Sequence, residues 1–303
     1  MEWVPFSSRL RDELDTLAAV ADQLLDLSGI EYQGHRNQGR DYVIIAPDWA
    51  WAAPTDDLRR LQMRVVPRFE AWFERFRLLF MDAPAELRQQ GESLHGEIRE
   101  WLARDGTAWS GWDVPTSIPE AKHVLAERFA KLAGLIDVVA PATFEGGTIA
   151  VPDSSALLDK PDFERYPDAL GVVQLDIYLV PGVLSELDAL KDQGRTQEVR
   201  EKARAAGLAI KRVRQHGSLL TGVEVAAGLR IFSRPMEPRF EGLPGALDPA
   251  SPDDRILASA FELQREHPTS AVVLVTGDIN LQTKAELAQL PFAEPPPRDG
   301  ASA

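Results

Sequence analysis

The sequence predicts an α/β protein in which a mainly helical first half precedes a mostly parallel sheet covered on both faces by helices. Three observations carry this. All seven tryptophans (Trp3, Trp49, Trp51, Trp72, Trp101, Trp109 and Trp112) precede residue 113, whereas the long β-branched runs lie after residue 146. In the first half, apolar residues recur at three- and four-residue steps, the spacing of one helix face. In the second, short apolar runs alternate with helical patterns, the order that builds parallel sheets with helices on both sides.

Taken in chain order, Leu10, Leu14, Leu17, Ala18, Ala21, Leu24 and Leu25 mark the first helix. Similar patterns run from Asp56 to Phe80 and from Ala85 to Leu102, each with an acidic or proline entry. Ser117 followed by Glu120 is a capping-box pattern, with Pro119 in the first turn, and opens a helix to about Val138. Only Tyr42–Ala46 reads as a strand in this half. Beyond Pro141 and the pair Gly146-Gly147, Thr148–Pro152 and Leu175–Val180 read as buried strands, and Pro181–Lys191 and Thr196–Gly207 as helices. Val223–Phe232 is a further strand region. Asp253–His267 is a helix, Ala271–Thr276 an apolar strand and Gln282–Gln289 a last helix. The expected division is 1–140 as a helical domain, 146–292 as the α/β domain and 293–303 as a disordered tail, where AEPPPRDGASA is poor in apolar residues.

Composition excludes several chemistries. The chain has no cysteine, so thiolate nucleophiles, disulfides, Cys-ligated zinc and iron–sulfur clusters drop out. Its five histidines (His35, His95, His123, His216 and His267) lack the His-x-x-x-His spacing of zinc sites, and no Gly-x-x-x-x-Gly-Lys phosphate loop occurs. No positively charged start is followed by an apolar run, and no apolar stretch approaches the roughly 18 to 20 residues of a membrane span, so a cytoplasmic, non-membrane protein is expected. The net charge of −14 opposes broad electrostatic capture of nucleic acid, so any such binding must rest on a local patch.

The acids fall at element junctions. In parallel sheets the ligand lies beyond the carboxyl ends of strands. Asp153 follows the strand TIAVP, and Asp278 follows VVLVT across a glycine. Glu186 lies one turn into the helix after IYLV, and Asp253 begins DDRILASAFEL. Singly, each has an ordinary reading: Asp153 as a cap for a helix begun by Ser154 and Ser155, Asp253 or Asp254 as an N-cap, Glu186 as a solvated helix residue, Asp278 as a turn residue. Jointly, carboxylates brought to one rim repel and raise one another's pKa unless a cation neutralises them. Oxygen-only ligands favour Mg²⁺ or Mn²⁺. The expected spacing is roughly 4 to 8 Å between carboxyl groups, around one or two ions about 4 Å apart.

These segments resemble the PIN domain family over about 145 residues. VPDSSALL resembles its opening motif, with Asp153 in the acidic place and Ser155 in the small polar place. VPGVLSELDALK resembles the second, carrying Glu186. SPDDRILASA resembles the third, with Asp253 three residues before the Ile and Asp254 as a possible substitute. VTGDINLQTKA resembles the fourth, with Asp278, Asn280 and Lys284 in register. Ser154 stands where Thr is commoner and Pro152 precedes Asp153; neither departure removes a carboxylate. The resemblance implies α/β/α layers and an Mg²⁺- or Mn²⁺-dependent endoribonuclease acting on single-stranded RNA, with Asp153, Glu186, Asp253 and Asp278 as metal-holding catalytic residues. It leaves open a toxin of a toxin–antitoxin pair, a defence effector and a processing enzyme. Its alternatives are a PIN-like scaffold that no longer cuts and a structure-selective DNase. The stretch containing Lys191, Arg195, Arg200, Lys202, Arg204, Lys211, Arg212 and Arg214 supplies the positive charge that RNA requires, with Arg200, Arg204, Lys211, Arg212 and Arg214 as the phosphate-binding set. The tryptophan-rich first half is expected to regulate or to recruit a protein partner.

Overall fold

A computed structural model describes residues 3–33, 48–105, 114–141, 146–159, 161–243 and 247–297. The chain divides into two units, one of Arg9–Pro141 and one of Ala142–Ala303 together with Met1–Ser8.

The first unit is mainly helical, as its periodicity requires. Helix α1 (Phe6–Asp26) is followed by a two-stranded antiparallel ribbon of β1 (Ile30–Tyr32) and β2 (Trp49–Trp51), then α2 (Asp56–Leu79), α3 (Ala85–Ala103) and α4 (Ile118–Val139). The strand expected at Tyr42–Ala46 lies outside the described residues. The core is aromatic: Phe69, Trp72, Phe73 and Phe76 line one face of α2, and the Trp72 indole donates to the Leu10 carbonyl at 2.8 Å. That bond lets a large, fully buried ring keep its one polar group satisfied. Ser117 caps α4 by accepting from the Glu120 N–H at 3.4 Å. The capping box is modified, because the Glu120 carboxylate turns to the N–H and hydroxyl of Thr116 (2.8 and 2.6 Å) instead of the Ser117 N–H.

In the second unit β3 (Thr148–Pro152), with all five residues buried, leads to α5 (Ser154–Asp159), a 3-10 turn (Phe163–Arg165) and α6 (Tyr166–Leu170). Strand β4 (Leu175–Leu179) precedes α7 (Pro181–Gln193) and α8 (Gln197–Arg214). The hairpin of β5 (Val223–Ala226) and β6 (Leu229–Ser233) leads to α9 (Pro252–Glu266), β7 (Ala271–Val275), α10 (Ile279–Leu287) and β8 (Phe292–Ala293). The six strands lie in the order β5-β6-β4-β3-β7-β8, all parallel except β5. This is the three-layer, mostly parallel architecture that the alternating pattern implied.

Three of the departures from the sequence reading have a reason in the chain's packing or backbone geometry. Helix α8 runs through Gly207 instead of stopping there. A Cβ on Gly207 would lie 2.7 Å from Lys191 Cε, so the glycine is where α7 and α8 approach closely, not a helix stop. The strand region Val223–Phe232 is two antiparallel strands, turned at Gly228 with φ +77. The expected tail begins later than 293, because Phe292 and Ala293 pair with Leu274 and Val275 of β7.

The segment Trp3–Ser8 is part of this second unit. The Trp3 indole donates to the Leu170 carbonyl at 2.9 Å, and both the N–H and hydroxyl of Ser7 donate to the Pro268 carbonyl (3.1 and 2.8 Å). Among the described residues no helix is long and apolar enough to cross a membrane.

Candidate active site

The position of the site follows from connectivity. From β3 the chain crosses to β4 on one side, and from β7 it crosses to β8 on the other, so the crevice beyond the carboxyl ends of β3 and β7 is the topological switch point. Asp153 and Thr276 are the first residues past these paired strands.

Asp153 is 3% exposed. Its carboxylate accepts from the Ser155 hydroxyl at 2.9 Å, from the Ala156 N–H at 2.7 Å and from the Thr276 hydroxyl at 2.5 Å. Burial pushes its pKa above the ordinary carboxylate value; the three donors pull it back, and the charge of Glu186 adds to the rise. Glu186 is exposed in the second turn of α7 and is reached by the Ser154 hydroxyl at 2.7 Å. The dipeptide Ser154-Ser155 therefore serves two acids from the first turn of α5.

Asp278 is exposed and is the N-cap of α10, accepting from the Asn280 N–H at 2.8 Å. Helix α10 consequently begins earlier than the expected Gln282. The Asp278 N–H donates to Thr276 Oγ1 at 3.0 Å. One fully buried hydroxyl thus joins Asp153 to the turn that presents Asp278. The Thr276 carbonyl is held in turn by Gln282 Nε2 at 2.9 Å, which also reaches Glu294 at 2.7 Å.

The third motif lies at the same edge, since Gly182 at the start of α7 is close to Pro252 and Ile256 at the start of α9. Here the two acids divide. Asp254 is buried, accepting from the Asp248 N–H at 2.9 Å and from Lys284 Nζ at 2.7 Å. Burial works against its charge, but Lys284 and the Asp248 N–H outweigh it and hold its pKa below the ordinary value. Asp253 is half-buried, 3.7 Å from the same ammonium, whose own pKa is raised by the Asp254 partner.

The junction acids are all at one edge but do not form the close cluster expected of them. Among the described residues no three His, Asp or Glu side chains are gathered closely enough to hold a metal ion. The protein's own groups contact these carboxylates: hydroxyls and an N–H on Asp153, the Ser154 hydroxyl on Glu186, an ammonium on Asp254, and the α10 backbone on Asp278. The donor chemistry fits a hard divalent cation, being oxygen throughout.

The basic stretch also divides. Lys191 pairs with Asp188, Lys202 with Glu198 and Asp159, and Arg200 donates to the Gly194 carbonyl at 2.6 Å, closing the turn between α7 and α8. Arg204, Lys211, Arg212 and Arg214 are exposed on α8. The carboxyl end of α8 returns to the edge that carries the acids, for Ser233 at the end of β6 donates its N–H to the Leu219 carbonyl at 2.8 Å.

Sequence reasoning missed Thr276, Gln282 and Glu294. Thr276 was legible only as the last residue of an apolar strand; that a polar residue ends such a run was the available signal. Tyr178 is half-buried with its ring stacked on Phe232 at 4.7 Å. The chain finds no match among curated proteins. A family model, described as the PIN domain, matches residues 150–294.

Proposed function

Residues 150–294 being a PIN domain, a family whose members are in general nucleases, we propose that this protein is a metal-dependent endoribonuclease acting on single-stranded RNA at the crevice between β3 and β7. The observation that carries the reading is Asp153. A carboxylate 3% exposed at a topological switch point, its charge opposed by burial and by Glu186, yet given three donors that favour the charged form, suits a site that receives a cation.

Asp153, Glu186, Asp253 and Asp278 are the residues that would hold Mg²⁺ or Mn²⁺. Asp253 is preferred to Asp254 because Asp254 is committed to Lys284 and to the Asp248 N–H. When bound, such an ion lowers the pKa of a coordinated water and neutralises non-bridging phosphate oxygens. The chain's own contribution is orientation. Ser155 and Thr276 fix the plane of the Asp153 carboxylate, Ser154 holds Glu186, and the Asn280 N–H holds Asp278. Arg204, Lys211, Arg212 and Arg214 at the end of α8 offer backbone phosphates a local positive field that a chain of net charge −14 otherwise lacks.

The test is cleavage of matched RNA and DNA oligonucleotides with Mn²⁺, with Mg²⁺ or with chelator, for the native protein and for Asp153→Asn. RNA cleavage that needs a divalent ion and is lost in the variant is the expected result. Cleavage of DNA alone would replace the reading with a DNase, and tight RNA binding without cleavage would replace it with a scaffold.

A further inference from the structure

The last turn of α8 borders a cleft of about 280 Å³, of which the proposed function so far uses only Arg212. It lies between α8, the 3-10 turn and the edge strand β5. Its floor is apolar: Phe163 and Val213 are 6% and 8% exposed, with Ala209 beside them. Its mouth carries charge of both signs, with Arg212 on α8 and Glu164 and Glu224 across from it. The volume is at the lower end of those that hold small ligands. It has room for one nucleotide and not for a base pair.

The polar groups are arranged for a particular ligand chemistry. Arg212 is exposed and, among the described residues, has no carboxylate partner, which leaves its five donors open to a phosphate. His216 Nδ1 lies 2.9 Å from the Arg212 carbonyl and donates to it, so in the neutral ring Nε2 is the acceptor. The two glutamates are acceptors only, as is Asp162 at the entrance. Apart from Arg212, the mouth therefore offers acceptors, and acceptors select a ligand rich in N–H donors.

We propose that this cleft is a nucleotide subsite for single-stranded RNA. The base lies over Phe163 and Val213, the phosphate sits on Arg212, and the N–H donors of the base go to Glu164, Glu224 and His216 Nε2. Guanine presents two adjacent donors on its Watson–Crick edge and is the favoured base; uracil presents one. The end of α8 lies at the strand edge that carries Asp153 and Asp278, so a single strand held here continues along that edge to the crevice. The inference rests on the nuclease reading for its RNA strand, but binding to the cleft is measurable without catalysis.

The experiment uses the full chain in chelator, titrated calorimetrically with guanosine 5′-monophosphate and uridine 5′-monophosphate. Guanosine monophosphate is expected to bind about ten-fold more tightly than uridine monophosphate, as one good bidentate base contact provides. Arg212→Glu is expected to weaken guanosine monophosphate by about ten-fold or more, and Glu224→Gln to lose the base preference. Ala209→Phe, which fills the cleft from its floor, is expected to abolish binding with the circular dichroism spectrum unchanged. With a ten-nucleotide RNA and Mn²⁺, Ala209→Phe should raise KM by more than it lowers kcat. Equal guanosine monophosphate affinity of the native chain, Arg212→Glu and Ala209→Phe, or no discrimination between the two nucleotides by the native chain, overturns the subsite. If RNA is cleaved but KM is unmoved by Ala209→Phe, the subsite falls and the nuclease reading stands. If guanosine monophosphate binds as described and no RNA is cleaved, the nuclease reading falls and the subsite stands.

Discussion

Thr276→Val tests the central contact of the candidate site. Thr276 is 0% exposed, and valine has nearly its shape, so the substitution removes a hydroxyl without opening a cavity. Two interactions go with it. The donation to the Asp153 carboxylate at 2.5 Å is a hydrogen bond to a charged group, worth about 1.5–3 kcal/mol. The Asp278 N–H, which donates to the same oxygen at 3.0 Å, loses its acceptor at a cost of about 1 kcal/mol. The expected loss at pH 7 is therefore about 2.5–4 kcal/mol by urea unfolding. It should depend on pH in a defined direction. The Asp153 pKa is already raised above 3.8 by burial, so in the native protein ionisation of Asp153 lowers stability as pH rises through its folded pKa. Removing a donor to the carboxylate raises that pKa further and penalises only the ionised form. The deficit of the variant should thus be largest at neutral pH and shrink as pH falls through the folded pKa, leaving about 1 kcal/mol for the Asp278 N–H. Thr276→Ser, which keeps the hydroxyl, should restore the pH profile and cost only a buried methyl, about 1 kcal/mol. A loss below about 0.5 kcal/mol, or one of equal size at every pH, would refute the reasoning.

Four further outcomes follow from the same geometry. Asp278→Asn should leave stability in chelator within about 0.5 kcal/mol, because asparagine caps helices as well as aspartate, while Asp278→Ala should cost about 1 kcal/mol; thermal melts separate the two, and both should lose cleavage. Lys284→Met should destabilise by about 1 kcal/mol at pH 7, a figure held low because the lysine side chain is 39% exposed. Since the Asp254 pKa is depressed, that stability is present above its unfolded value of 3.8 and disappears as pH falls below it, so native and variant curves should converge in acid. We propose that the α/β domain folds from residue 140 onward, but a chain beginning there lacks Trp3, Phe6 and Ser7; chemical denaturation should find it less stable than the full chain, and Trp3→Phe in the full chain should cost about 1 kcal/mol through the Leu170 bond. Arg204→Glu combined with Lys211→Glu should weaken RNA binding and flatten its salt dependence, as read by anisotropy at several salt concentrations.

Local periodicity in the sequence was enough for the helices of the first unit, the alternation of strands and helices in the second, and the junctions at which Asp153, Glu186, Asp253 and Asp278 occur. Each of these depends on residues a few positions apart, whose apolar spacing or turn chemistry determines the element regardless of what packs upon it. What depended on residues far apart in the chain could not be read in that way. Thr276 matters because β3 and β7, 123 residues apart, pair in register and bring its hydroxyl to Asp153. Gly207 is a helix residue because Lys191 lies across it, and Ala293 is a strand residue because β7 offers it an edge. The attachment of Trp3 and Ser7 to Leu170 and Pro268 joins residues 167 and 261 positions apart and leaves no local trace. The partition of the acids was likewise tertiary. Sequence offered Asp253 with Asp254 as a possible substitute; in the fold both reach toward Lys284 of α10, but Asp254 is buried with the ammonium at 2.7 Å and Asp253 is half-buried with it at 3.7 Å, because adjacent residues on a helix point about 100° apart.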